Sequence, residues 1–243
     1  MKFLLGVFLC CFFSLSTMAQ TTLANIEDKI NQSFDECFAV ADASPLQTII
    51  TELENSKDGD AWTTYWLSYA NVSLGIYLME ASKENSENAL NAFTEAIDVL
   101  KDKDDKNTEE YTLLARAMSI SISVRPAQAM MLSNKSKTYI NKAMKLNDQN
   151  LRAYLQSGSS DYYTPKEYGG GNIAEAQFLK ALSLPDKAIN DEAAPAWGRE
   201  EIYYMLVSFY LREEKYDKAK VYLKKGLDEF PDNQRLASLS AKI

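Results

Sequence analysis

Histidine is absent from all 243 residues. That removes Ser–His and Cys–His nucleophile pairs, imidazole acid–base catalysis and every zinc site that uses a histidine ligand. Only carboxylate, lysine or tyrosine chemistry is left for an enzyme. Cysteine is almost as scarce. Of the three, Cys10 and Cys11 lie in an N-terminal apolar run. Cys37 then has no intramolecular disulfide partner, and a lone thiol near apolar residues reads as a small core residue. Basic charge is in deficit, with 26 Lys and Arg against 34 Asp and Glu. Nucleic acid and anionic membranes reward clustered Lys and Arg, so neither is expected as the main partner. The few glycines and prolines are expected between periodic segments rather than inside them, and nothing alternates as a strand would.

What is present begins with an export signal. Lys2 is followed by an apolar run, Phe3 to Leu15, and by the small residues of Thr17-Met18-Ala19. These place cleavage between Ala19 and Gln20. The run is shorter than the ~20 residues that span a bilayer. No second run of spanning length follows, so residues 20–243 are expected to be periplasmic or secreted.

Helical periodicity dominates the rest. Helices are predicted near 22–40, 44–56, 60–82, 86–101, 107–124, 134–147, 149–162, 172–184, 196–213, 216–229 and 232–241. Ser44-Pro45 reads as an N-cap followed by proline at the first helical position. Asn172 and Glu175 have capping-box spacing.

The alternation of helices carries an internal repeat. Within Glu200–Asn233, Tyr203, Leu206 and Tyr210 share one face of a first helix. Tyr216 opens a second helix with Ala219, Leu223 and Gly226 on its inner face, and Pro231 ends the unit. The second-helix spacing recurs as Ala89, Phe93 and Ala96, as Ser136, Ile140 and Ala143, and as Ala174, Phe178 and Ala181. This pattern resembles the tetratricopeptide repeat, departing from it at Val207 and Gly226. The resemblance runs loosely from residue 60 and most fully through the last unit. It implies an all-α fold: a right-handed αα-superhelix, or solenoid, of about five hairpins with a C-terminal capping helix. The division expected is a signal peptide at 1–19, an N-terminal hairpin at 20–58 and a repeat array at 59–243.

Two segments exceed a plain repeat, 125–135 (Arg-Pro-Ala-Gln-Ala-Met-Met-Leu-Ser-Asn-Lys) and 162–171 (Tyr-Tyr-Thr-Pro-Lys-Glu-Tyr-Gly-Gly-Gly). The second is similar to a Tyr-x-Thr-Pro-x-x-[Phe/Tyr]-Gly-Gly-Gly loop of exported bacterial tetratricopeptide proteins. Gly169-Gly170-Gly171 lacks the Lys-Ser/Thr ending of a phosphate loop, so a backbone role is expected. The two loops are expected to pack on one another. Asp102, Asp104 and Asp105 fail a calcium-loop pattern because Lys106 and Asn107 stand where a ligand and a glycine are needed.

The resemblance implies a concave face that holds a peptide. By repeat register that face receives Arg152, Leu155, Ser159 and Tyr162 from one unit, and Glu201, Tyr204, Ser208, Leu211 and Arg212 from the next. The function expected is a non-enzymatic scaffold or adaptor for a protein or peptide, with no catalytic residue, cofactor or metal. The alternative is a small-ligand or carbohydrate site built from loops 125–135 and 162–171. Convergence of Arg125, Lys135, Tyr163 and Tyr168 on open space would mark it.

Overall fold

The computed structural model describes residues 23, 25–56, 62–82, 84, 86–187 and 191–243. The expected signal segment and its cleavage point lie outside the described residues. Antiparallel helices pair in chain order: α1 (Ile26–Val40) with α2 (Ser44–Glu54), α3 (Thr63–Ala81) with α4 (Ser86–Lys101), and α5 (Thr108–Ser121) with α6 (Ala129–Leu146). The series continues with α7 (Leu151–Tyr163) and α8 (Ala174–Leu182), then α9 (Arg199–Arg212) and α10 (Tyr216–Glu229), and α11 (Gln234–Ala237) closes it. Successive hairpins stack on one another, and no strand occurs among the described residues. The fold is an αα-superhelix. No helix among the described residues is long and apolar enough to cross a membrane.

The repeat spacing translates directly into packing. Ala89, Phe93 and Ala96, Ala174, Phe178 and Ala181, and Ala219 and Leu223 are buried, as are Ser136, Ile140 and Ala143. Gly75 and Gly158 depart from the expected placement between helices and sit inside them, while Gly226 sits inside α10 as the repeat pattern places it. The reason is contact. A Cβ on Gly75 would lie 2.6 Å from the Phe93 ring, and one on Gly158 would lie 2.6 Å from the Phe178 ring. The same device is used in two hairpins: a glycine on the first helix accepts the phenylalanine of the second. Hydroxyls seal the close approach, Ser68 donating to the Ala96 carbonyl at 2.7 Å and Ser136 to that of Ala115 at 3.0 Å. Ala219 occupies the corresponding tight contact in the last hairpin and is fully buried. Ala219→Trp is expected to cost about 3 kcal/mol, the upper end for overpacking, whereas Glu213→Ala at the nearby helix end is expected to be near neutral. Urea midpoints of the two variants test this.

Helix starts rely on asparagine more than local spacing suggests. The side chains of Asn107, Asn150 and Asn233 accept from the amides of Glu110, Ala153 and Leu236 at 3.0, 3.0 and 2.8 Å. Glu110 also accepts from the Asn107 amide at 2.8 Å, completing a capping box. The box expected at Asn172 and Glu175 does not form. Asp161 of α7 caps α8 instead, accepting from the Ile173 and Ala174 amides at 2.8 Å each. Glu175 is drawn away by Lys215 and Lys218, at 2.9 and 2.7 Å. At α2, Ser44, read as the N-cap, is instead the first helical residue and Pro45 the second; the Asp42 carboxylate accepts from the Ser44 amide at 2.7 Å.

Candidate functional site

The concave face is formed by α3, α5, α7 and α9, and part of it is already filled. The described residues of 184–198, which join α8 to α9, cross the first turns of these helices as a strap. The indole of Trp62 donates to the Asp191 carboxylate at 2.8 Å, and that of Trp66 to the Ala193 carbonyl at 2.9 Å. The Ala196 amide donates to Glu27 of α1 at 2.7 Å. The indole of Trp197 donates to the Tyr65 hydroxyl at 2.9 Å. Its ring lies 5.0 Å from the Arg116 guanidinium and 5.7 Å from that of Arg152. Gly198 lets the strap turn into α9: its φ is 118°, and a Cβ would stand 3.1 Å from Leu151 and 3.3 Å from Arg152.

Arg152 anchors this arrangement from beneath. Its side chain is fully buried and pairs with Glu109 of α5, Nη2 to Oε1 at 2.6 Å and Nε to Oε2 at 2.8 Å. Nη1 donates to the carbonyls of Asp186 and Trp197, 2.8 Å each. Burial alone would weaken the charge, but the Glu109 carboxylate and its bonds outweigh this and hold the Arg152 pKa above its ordinary value. A buried pair with most of its donors satisfied is what a low-dielectric interior tolerates. Of the residues expected to contact a partner, Arg152 and Leu155 therefore have another role. Both are fully buried beneath the strap, because the strap supplies the carbonyls and apolar contacts that a ligand would have supplied.

Of the remaining expected residues, Glu201 stands in the first turn of α9 beside the strap, and Ser159, Tyr162, Tyr204, Ser208, Leu211 and Arg212 lie beyond it along α7 and α9. Glu201 pairs with Arg116 of α5 at 2.9 Å, so its face of α9 looks into the groove. Tyr204, Ser208 and Leu211 follow on that face at helical spacing and are half-buried. Arg212 lies 3.9 Å over the Tyr162 ring and donates to the Tyr162 carbonyl at 2.5 Å. Arg235 lies 4.0 Å over the Tyr204 ring. The Ser159 hydroxyl is buried without a hydrogen-bond partner. Tyr163, 68% exposed, adds a ring beside Tyr162. The open half thus presents hydroxyls, aromatic rings and arginine.

The two inserted loops do not form a site together. Arg125 turns back to α4, reaching the Leu90 carbonyl at 3.4 Å and the Thr94 hydroxyl. Helix α6 begins at Ala129, five residues before the position read from sequence, and takes up most of the first loop. Met130 is left 79% exposed, while Leu132 is buried. The second loop is tied to its own unit and to α9, with Lys166 on Glu213 at 3.1 Å and the Gly171 amide on the Asp161 carbonyl at 3.0 Å. Tyr168 is 77% exposed. No hydrogen bond among the described residues joins the two loops. No group of three or more Asp, Glu or Cys side chains could hold a metal among the described residues, the 102–105 acidic run included.

Residues 200–233 match the tetratricopeptide repeat family. No curated protein sequence matches the chain. The fold is similar to that of TTC0263, a thermophilic tetratricopeptide repeat protein of Thermus thermophilus, at 18% identity and TM-score 0.56, covering 89% of this chain and 97% of that one. It is also similar to the HusA haemophore from Porphyromonas gingivalis, at 19% identity and TM-score 0.54, covering 79% and 94% respectively. At these identities the likeness is one of fold.

Proposed function

We propose that this chain is an exported scaffold that binds a protein or peptide partner along the open half of its concave face, without catalysis. The observation that supports this most is the strap. The groove already holds an extended stretch of polypeptide by indole and guanidinium donors to backbone carbonyls, as at Trp66–Ala193 and Arg152–Trp197. The open half continues the same helices with Ser159, Tyr162, Glu201, Tyr204, Ser208, Leu211 and Arg212. The tetratricopeptide character of residues 200–233 fits this role. The reading of export rests on Lys2, the apolar run and Thr17-Met18-Ala19, and the Tyr162–Gly171 loop resembles one of exported tetratricopeptide proteins. The small-ligand alternative asks Arg125 and Tyr168 to converge on one space, whereas Arg125 is bonded to Leu90 and Thr94 of α4 and Tyr168 is exposed.

A photo-crosslinking residue at Ser208 is expected to capture one protein species from envelope extracts. The same residue at Lys220, exposed on α10, is expected not to capture it. Equal capture at both positions, or none at Ser208, would overturn the assignment of the face. The intact mass of the exported protein is expected to start at Gln20. A mass that retains residues 1–19 would refute cleavage there.

A further inference from the structure

The strap shows what the groove accepts. It meets the helices mostly through carbonyls. Those of Asp186 and Trp197 accept from Arg152, that of Ala193 from Trp66 and that of Leu184 from Arg199. Where strap amides turn toward the helices, at Ala196 and Trp197, Glu27 accepts them. The strap also carries Pro195, which is buried and brings no N–H. The open half continues the donors without such an acceptor. Among the described residues, Glu201 is taken by Arg116, Glu213 by Lys166 and Arg212, and Asp161 by the first amides of α8. The Tyr163 hydroxyl reaches only the Met205 sulfur, at 3.8 Å. The hydroxyls of Tyr204 and Ser208 have no hydrogen-bond partner among the described residues. Arg235, stacked over Tyr204, has neither a carboxylate nor a carbonyl there. Tyr163 feels both the Arg235 charge and Tyr204, so α7, α9 and α11 bring these groups together.

We propose that the open half binds a proline-rich segment of the partner, with a pyrrolidine ring against Tyr163 and neighbouring carbonyls on the Tyr204 hydroxyl and Arg235. The inference rests on the reading of the concave face as a peptide groove. Continuity supports it, because this half prolongs the face on which the strap already lies. Hydrogen bonding selects proline. An ordinary residue brings an amide, no carboxylate is left to take it, and an N–H buried unpaired is costly. Proline brings a carbonyl and no amide, and its segments are ordered before they bind. The surface suits it as well. The Tyr163 ring is 68% exposed, and aromatic-lined grooves are how proline-rich segments are recognised elsewhere. An acidic segment fits less well. Arg235 is exposed, an exposed ion pair contributes little, and a carboxylate makes no use of the Tyr163 ring.

The test is a calorimetric titration of the full exported chain with three capped peptides of equal length: oligoproline, alternating alanine–serine and alternating serine–glutamate. Oligoproline is expected to bind, and the other two are expected to bind about tenfold more weakly or not at all, the scale of one amide left unpaired. Tyr163→Ala changes an exposed side chain and is expected to fold normally while weakening oligoproline by about tenfold, the scale of a lost ring contact. Tyr163→Phe keeps the ring and is expected to retain most of the affinity. No binding of oligoproline, equal affinity of the alanine–serine or glutamate peptide, or an unchanged oligoproline affinity in Tyr163→Ala would each overturn the proposal. The peptide comparison uses the unaltered protein, so it decides even if the variant misfolds. Capture at Ser208 reports on the groove separately: failure here with capture intact removes the preference for proline alone.

Discussion

Arg152→Leu is expected to lower the stability of the protein by roughly 3–5 kcal/mol, because it leaves Glu109 charged and uncompensated in the interior. The guanidinium makes a two-point bond to Glu109 and two more to the carbonyls of Asp186 and Trp197. Three parts of the chain therefore lose an anchor at once: α5, α7 and the strap. Trp197 should report the release, since its ring is packed against the same guanidinium. Its fluorescence is expected to shift to the red before global unfolding. The double variant Glu109→Leu/Arg152→Leu removes the orphaned charge and is expected to recover part of the loss. Urea midpoints for the three proteins give the comparison. A loss below about 1 kcal/mol for Arg152→Leu would be the behaviour of an exposed pair and would contradict the burial of Arg152.

The glycine run supplies the second large effect, and it separates neighbouring positions. A Cβ on Gly170 would stand 1.8 Å from the Thr164 carbonyl oxygen, with the Asp161 carbonyl at 2.9 Å. Both obstacles are backbone. Gly170 also donates to the Pro165 carbonyl at 3.1 Å, so it cannot move away freely. Gly170→Val is expected to cost about 3 kcal/mol, as overpacking against an ordered segment does. Gly169 has φ 83° but nothing within 4 Å of its Cβ position. Gly169→Ala is expected to cost only the backbone term, about 1–2 kcal/mol. Differential scanning calorimetry of the two variants should show that order, and a smaller loss at Gly170 than at Gly169 would contradict the close approach.

The fold was legible because its signals are local and periodic. Ala89-Phe93-Ala96 and its counterparts at 136–143, 174–181 and 219–226 state a buried face in their spacing, and the structure buries them. Cys37 is buried, as its setting implied. The strap was not legible. Asp191, Ala193 and Trp197 carry no periodicity, and their partners Trp62, Trp66 and Tyr65 are more than 120 residues away. A hint existed in Glu109 and Arg152. Each stands second in its helix, in consecutive units, so stacked hairpins bring them together. Repeat register alone assigned Arg152 to the groove surface; only the strap explains why it is covered. The helix starts failed for a similar reason. Asp161 caps α8 from a neighbouring helix, and no local pattern announces a cap supplied from 12 residues away. The loops were read as mutually buried from their apolar content, yet Met130, Tyr163 and Tyr168 remain exposed.

That the concave groove is filled in part by the described residues of 184–198 can be tested at its tryptophans. The chain has three, and each indole N–H is used at the strap: Trp62 to Asp191, Trp66 to Ala193 and Trp197 to Tyr65. Hydrogen exchange of the three indole signals, followed by NMR after transfer to deuterated buffer, reads all of these contacts at once. A seated strap predicts slow exchange at all three, with Trp62 and Trp66 protected together. Loss of the Trp62 and Trp66 signals at the rate of a free indole, while the helices keep their amide protection, would show a groove without its strap and would contradict the arrangement.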